Sequence, residues 1–324
     1  MNPLRYTLRR LMQGVAALLL IAVMNFLLVR AAPGDPAMVM AGEAGATDEQ
    51  YLQQLRERFD LDKPLPQQLL TYLGRLAQGD LGESYRQQLP VLDLILERLP
   101  ATLLLTGAAF VLSLAFGVTL GVWASTRVGT WQDSAISLFS TLFYATPLYW
   151  LALLAVLVFS VWLPWLLAFG YETVGGGFSG WRRALDIAQH MVLPTLVLAT
   201  FFMAVYARMT RAAMLEAAGQ DFVKTARAKG LPAGRILRAH VLRNALLPVV
   251  TLAGLQAGAM VGGAVIIETV FAWPGIGRLL FDALGQRDYS LLLGTFLVTA
   301  ALAVLFNVIT DLVYTVVDPR IELS

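Results

Sequence analysis

Six stretches of this chain run on without a single Asp, Glu, Lys or Arg: Leu11–Val29, Leu99–Thr126, Ser134–Tyr171, Ile187–Ala207, Asn244–Ile267 and Tyr289–Thr310. The hydrocarbon core of a bilayer is about 30 Å thick and a helix rises about 1.5 Å per residue, so roughly 20 apolar residues suffice to cross it. Each stretch is rich in Leu, Val, Ala and Phe, and none alternates as a strand would. Lipid offers backbone groups no partner, which leaves helix as the conformation for such a span. The expected fold class is therefore an all-α membrane protein with six transmembrane helices. Composition agrees: 57% of residues are hydrophobic and 14% charged, where soluble domains carry about 25% charged residues. The third stretch is expected to hold one helix from about Ser134 to Trp162, with an exit loop from near Pro164. Trp150, Trp162 and Trp165 would anchor it at the interface. The first stretch is too long for a cleaved leader, whose apolar part spans about 7–15 residues, and Arg30 stands where a small-residue cleavage site would be needed.

Basic residues in the short connecting segments set the orientation. The N-terminus carries Arg5, Arg9 and Arg10 with no acid, and the segment from Arg208 to Arg243 has eight basic residues against Glu216 and Asp221. The region from Arg30 to Arg98 has seven basic and eleven acidic residues. With six spans, both termini and the 208–245 segment are expected on the cytoplasmic side, and the 32–98 segment outside. The chain thus divides into 1–31 (N-terminus and first helix), 32–98 (an external cap) and 99–324 (the remaining five helices with the cytoplasmic loop).

The cap is expected to be helical. Pro33-Gly34-Asp35-Pro36 makes a rigid turn, Thr47-Asp48-Glu49-Gln50 reads as a capping box, and Leu52, Leu55 and Phe59 follow at helical spacing. A second helix near Gln67–Ala77 carries Leu69, Leu70, Leu73 and Leu76, Gly79-Asp80-Leu81-Gly82 turns the chain, and Val91–Leu99 leads into the membrane. The cap either packs as a lid on the span ends or offers a docking surface.

The cytoplasmic loop reads Asp221-Phe222-Val223-Lys224-Thr225-Ala226-Arg227-Ala228-Lys229-Gly230-Leu231-Pro232. Gly favours a helix C-terminus and Pro opens the next helix, so short helices are expected on both sides of Gly230-Leu231-Pro232. Small Thr225, Ala226 and Ala228 give a narrow profile able to enter a groove on another protein. Arg235, Arg238, His240 and Arg243 line the helix that follows.

At these residues the chain resembles the dipeptide/oligopeptide/nickel permease family of ATP-binding cassette importers. Lys224-Thr225-Ala226-Arg227-Ala228-Lys229-Gly230-Leu231 is similar to that family's form of the loop that contacts the ATPase, although the Glu and one Ala of the general Glu-Ala-Ala pattern are missing. His240-Val241-Leu242-Arg243-Asn244-Ala245-Leu246-Leu247-Pro248-Val249-Val250-Thr251 and Glu268-Thr269-Val270-Phe271-Ala272-Trp273-Pro274-Gly275-Ile276-Gly277-Arg278 extend the likeness, as do the cap turns and Asp318-Pro319-Arg320-Ile321.

The resemblance implies a type I importer permease architecture in a bacterial inner membrane and import of di- or oligopeptides by alternating access. It implies three kinds of partner: a second related permease forming a heterodimer, two cytoplasmic ATPases, and an external solute-binding protein. It assigns Asp221, Phe222, Lys224, Thr225, Ala226, Arg227, Ala228, Lys229, Gly230 and Leu231 to ATPase coupling. ATP and Mg would sit on the partners: the chain has no Gly-x-x-x-x-Gly-Lys-Ser/Thr loop, and neither a catalytic residue nor a bound cofactor is expected of it. With no Cys and only His190 and His240, no metal cluster is expected either.

Glu268 stands where the fifth span leaves the membrane, either as a functional ionisable group or simply solvated. Trp273-Pro274-Gly275-x-Gly277 then forms a tight turn, read as an outer gate. Asn25, Gln256 and Asn307 are expected to bridge helices, Asp311 to form an ion pair, and Gly254, Gly258, Gly262 and Gly263 to allow close helix contact at a permease–permease interface. Residues lining the solute path are not legible in the sequence. The rival reading is a secondary transporter driven by an ion gradient, against which stand the absence of an internal repeat and of charges at mid-span.

Overall fold

A computed structural model describes residues 3–31, 49, 52–53, 56 and 62–317, with side chains between 8 and 310. The Pro33–Pro36 turn, the Thr47 capping box, most of the first cap helix, the side chain of Asp311 and the Asp318–Ile321 run lie outside the described residues.

The described chain is overwhelmingly helical. Helix α1 spans Pro3–Ala31, α2 Leu65–Ala77, α3 Val91–Ser125, α4 Trp131–Ala145, and α5 Leu148–Val156 with a π-helical continuation to Trp162. Helix α6 follows at Gly180–Ala218, α7 at Asp221–Ala228, α8 at Arg243–Val270, α9 at Ile276–Gly285 and α10 at Tyr289–Val317. A short turn at Ala233–Arg235 and a π-helical stretch at Ile236–Leu242 run directly into α8. Among the described residues, five helical runs are long and apolar enough to cross a membrane, six if α4 and α5 count together.

The third stretch departs from expectation. Its helix breaks at Thr146-Pro147 and turns by 104° between α4 and the α5 segment. Pro147 has no N–H for the carbonyl of Phe143, and it drives the preceding Thr146 into an extended conformation (ψ 128°). The bent pair nonetheless joins the two ends of the bundle. Asp133, at the start of α4, meets Arg211 near the α7 end, while Gly170, after α5, donates to the carbonyl of Phe271 at the far end of α8 (3.0 Å).

The most extensive helix–helix packing in the bundle is that of α3 with α6. Gly117 and Gly121, four residues apart on α3, face Tyr206 and Thr210 of α6; a Cβ at Gly117 would lie 2.6 Å from Tyr206 Cβ and 2.9 Å from the carbonyl of Met203. Small residues four apart let two helix backbones approach closely, which supplies dispersion contact where lipid supplies no hydrophobic drive. From this contact toward the other end of α3, Leu105, Leu193, Leu198, Phe202, Tyr206, Ile267 and Trp273 form the main buried cluster.

Two of the four span-five glycines answer to this chain itself. Gly254 lies against Thr310 and Gly258 against the backbone of Ala303, both on α10, so their smallness serves an intrachain packing rather than an interface between permeases. Gly263 faces Leu198, Leu148 and Phe202, and Gly262 has nothing within 4 Å of its added Cβ. Asn25 bridges helices as expected, donating from α1 to the carbonyl of Leu293 on α10 (3.3 Å). Between α2 and α3 the cap forms a two-residue hairpin, β1 (Glu83–Ser84) paired with β2 (Leu89–Pro90), where only helix and turn were expected.

Candidate functional site: the α7 loop and the α8–α9 hairpin

Helix α7 is docked on the bundle, built from a short amphipathic sequence. Val223 and Ala226 point inward and pack with Ala213, Met214 and Ala217 of α6 and with Ile236, Val241 and Ala245 beyond the turn. Asp221 starts the helix and bonds to Lys224 (2.8 Å), complementing the positive N-terminus. Gly230, at φ +77°, ends it as a Schellman cap: Leu231 N–H reaches the carbonyl of Ala226 (3.2 Å) and Gly230 N–H that of Arg227 (2.9 Å).

Asp221, Phe222, Lys224, Thr225, Arg227, Ala228, Lys229 and Gly230 are left exposed, with Leu231 half-buried. Ala226 is the correction. It is small because it fits against the chain's own core, and it contributes nothing to the outward profile. Thr225 and Ala228 remain on that profile, joined by the apolar ring of Phe222.

Next to this loop lie two links the sequence did not reveal. Arg211 grips Asp133 with two hydrogen bonds (2.6 and 2.9 Å), and the Arg208 guanidinium stacks over Tyr144 (4.1 Å). Both fasten α4 to α6. The only signal for them was that each ionic residue flanks a charge-free stretch, which gives its depth but not its partner.

At the opposite end, α8 and α9 form a clasped hairpin. Glu268 is wholly buried, and the reading of it as a solvated residue is overturned. Its carboxyl accepts from Thr102 Oγ1 (2.6 Å), from Gly277 N–H (2.7 Å) and from Arg278 N–H (3.1 Å), while Thr102 Oγ1 accepts from Ile276 N–H (2.8 Å). The first N–H groups of α9, which no helix carbonyl can satisfy, are thus all taken up by side chains of α8 and α3.

This explains the glycines. A Cβ on Gly275 would collide with the Glu268 carboxyl, and one on Gly277 would lie 2.6 Å from Val265 Cα. Trp273 is buried, donates its indole N–H to the carbonyl of Ala101 on α3 (2.9 Å), and meets Tyr171 edge-on at 4.8 Å. Pro274 lies between Trp273 and Gly275 in the turn. Glu268, Trp273, Pro274, Gly275 and Gly277 are therefore brought together as one rigid element. Thr102, essential to it, was invisible because it lies 166 residues from Glu268.

Beyond α9, Asp288 caps α10 through Leu291 N–H (3.1 Å) and accepts from the buried Ser84 hydroxyl (2.5 Å), pinning the cap hairpin to the same end. His190 is buried on α6, with Nδ1 2.9 Å from the carbonyl of Asp186. Between α3, α8 and α10 lies a space of about 450 Å³ bordered by Leu103, Phe110, Met260 and Phe306. The Thr106 and Thr310 hydroxyls at its wall donate back into their own helices (2.7 Å each), so they offer a guest no free donor.

Residues 117–323 match the family described as binding-protein-dependent transport system inner membrane component, and residues 3–106 match the N-terminal part of the same kind of membrane component. The chain belongs to this family. Among relatives of this transport family, the chain is 40% identical over 335 residues to the di/tripeptide transport system permease protein DppB of Pseudomonas aeruginosa, covering 98% of this chain and 99% of the relative. It is 39% identical over 340 residues to the dipeptide transport system permease protein DppB of Escherichia coli K12, with the same coverage. The oligopeptide transport system permease protein AppB of Bacillus subtilis is 40% identical over 320 residues, covering 98% and 99%. A solved chain of the MetNI methionine ABC transporter in an inward-facing form superposes with a TM-score of 0.53 at 20% identity, covering 70% of this chain and 97% of that one. This last likeness is one of fold.

Proposed function

We propose that the chain is one permease half of an ATP-driven importer of di- and oligopeptides in a bacterial inner membrane. The carrying observation is the near-full-length likeness to peptide permeases of three bacteria. On this reading the bent pair counts as one crossing, giving six spans with both termini cytoplasmic and residues 32–98 as an external cap. Two observations support it: the basic 208–245 segment, and the anchoring of α4 and of the segment after α5 at opposite ends of the bundle.

The exposed face of α7, from Asp221 to Gly230, engages a cytoplasmic ATPase, which holds the ATP and Mg. A second permease completes the passage, and an external solute-binding protein delivers the peptide. The α8–α9 hairpin is the outer gate, and the Glu268 clasp makes it move as one piece. Transport is by alternating access, each nucleotide state biasing one packing of the bundle through its differential affinity.

Reconstitution of the permease pair with its ATPases in vesicles tests this. Peptide uptake that needs ATP and survives ionophores is expected. Uptake that needs no ATPase and collapses with the ion gradient would instead establish a secondary transporter.

A further inference from the structure

The segment between α5 and α6 is long, irregular and almost uncharged. From Ser134 to Trp181 the only ionisable acid or base with a formal charge at neutral pH is Glu172, and it is neutralised by Arg183 (2.6 Å). Connections of this length without secondary structure are uncommon and generally serve a purpose. Here the segment is held, not loose. Asp186 accepts from both the backbone N–H and the hydroxyl of Thr173 (2.7 Å each), Ser160 donates to the carbonyl of Leu166 (2.7 Å), and Gly170 and Tyr171 are fastened to Phe271 and Trp273 of the hairpin.

What this scaffold displays is aromatic. Trp162, Trp165, Phe169, Phe178 and Trp181 are all exposed, Trp165 at 71% and Trp181 at 79%. Exposed apolar groups gathered in this way mark a membrane or protein contact. The patch is continuous with the outward apolar face of α5 (Leu153, Leu157, Val161), which the bilayer covers if this helix crosses it. It begins and ends at the ends of apolar helices, Trp162 closing one and Trp181 opening the next, the level where Trp rings settle at the lipid–water boundary. Arg182 stands beside Trp181, an exposed cation of the kind that meets lipid phosphates.

We infer that the 163–181 segment lies in the lipid headgroup layer and, through Gly170 and Tyr171, tethers the α8–α9 hairpin to the bilayer surface. Its partner is the phospholipid interface itself. The inference needs only that the bundle spans a membrane, and it stands whether or not the transported solute is a peptide.

The chain has no cysteine, so single cysteines report on one place each. In the assembled complex, with partner subunits in cysteine-free form and reconstituted in phosphatidylglycerol/phosphatidylethanolamine vesicles, nitroxides are attached to Trp165→Cys, Trp181→Cys and, as a lipid-facing control, Leu153→Cys. At 165 and 181 both collision partners are expected to reach the label, with an oxygen-to-nickel-chelate ratio between that at 153 and that of a label in bulk water. A bulk-water ratio at both positions, or loss of both kinds of collision only when the external binding protein is added, overturns the inference in favour of a protein-docking surface. Bromolipid quenching of the native protein gives an arm free of cysteine variants. Trp165→Phe with Trp181→Phe should remove part of the quenching, and unchanged quenching would also overturn the inference.

Discussion

Removing the Glu268 carboxyl should unfasten the hairpin without unfolding the bundle. In Glu268→Ala the N–H groups of Gly277, buried, and Arg278, part-buried, remain in the turn with no acceptor, because α9 begins there and offers none of its own. Each orphaned buried donor costs about 1–3 kcal/mol, so the pair costs about 4 kcal/mol. At about 1.4 kcal/mol per tenfold change, the closed hairpin loses roughly three orders of magnitude in its opening equilibrium. Hydrogen–deuterium exchange of the assembled complex in nanodiscs reads this directly, as faster exchange in peptides covering residues 275–280 with protection retained around Gly117 and Gly121. Glu268→Gln is the discriminating control. Its carbonyl can face the two N–H groups and its amide can donate to Thr102, so most protection should survive. Exchange at 276–278 that is unaltered in Glu268→Ala, in an intact complex, would refute the clasp.

Gly230→Val places a β-branched residue at φ +77°, a strain of about 1–2 kcal/mol, and should lower peptide uptake per ATP hydrolysed while membrane insertion is unchanged; fully coupled uptake would remove Gly230 from the coupling loop. Phe222→Ala should reduce ATPase binding in a pull-down at unchanged thermal stability, whereas Ala226→Leu should destabilise α7 docking by about 1–3 kcal/mol because that position is filled. Burial pushes the Tyr72 phenol up to about 12, and its hydroxyl finds no partner among the described residues. The raised value favours the protonated fold below about pH 10 and forfeits that advantage as pH rises toward 12. The stacking of Tyr72 on Phe26 should therefore loosen in strong alkali in the parent, and Tyr72→Phe should abolish this step in a thermal-shift titration.

Most of the helix inventory was legible because lipid imposes a one-dimensional rule: charge-free runs of sufficient length. The Gly230 cap was legible for a similar reason, as its conformation is decided by four neighbouring residues. What escaped was three-dimensional. Thr146-Pro147 could have been read as a break, since the stretch is too long for one span and Pro removes a helix bond, but the 104° angle follows from packing on α6 and α8. Glu268 advertised an ionisable group and not its burial, which depends on Thr102. Ala226 showed smallness without direction. A small residue reads alike whether it admits a partner or fits its own core.

The contact of Gly117 and Gly121 with α6 bears on how a push could cross the bilayer. Helix α3 is 35 residues long, about 50 Å from end to end. Near one end it is wedged against α6 with no space for a single methyl; near the other, Ala101 and Thr102 hold Trp273 and Glu268. A rod jammed at one tip and pinned at the other moves as a whole, so displacement of α6 at the level of Thr210 is carried along α3 to Trp273 and Glu268. Transmission of this kind needs no flexible joint within α3: the two ends of the bundle would be coupled by the stiffness of one helix.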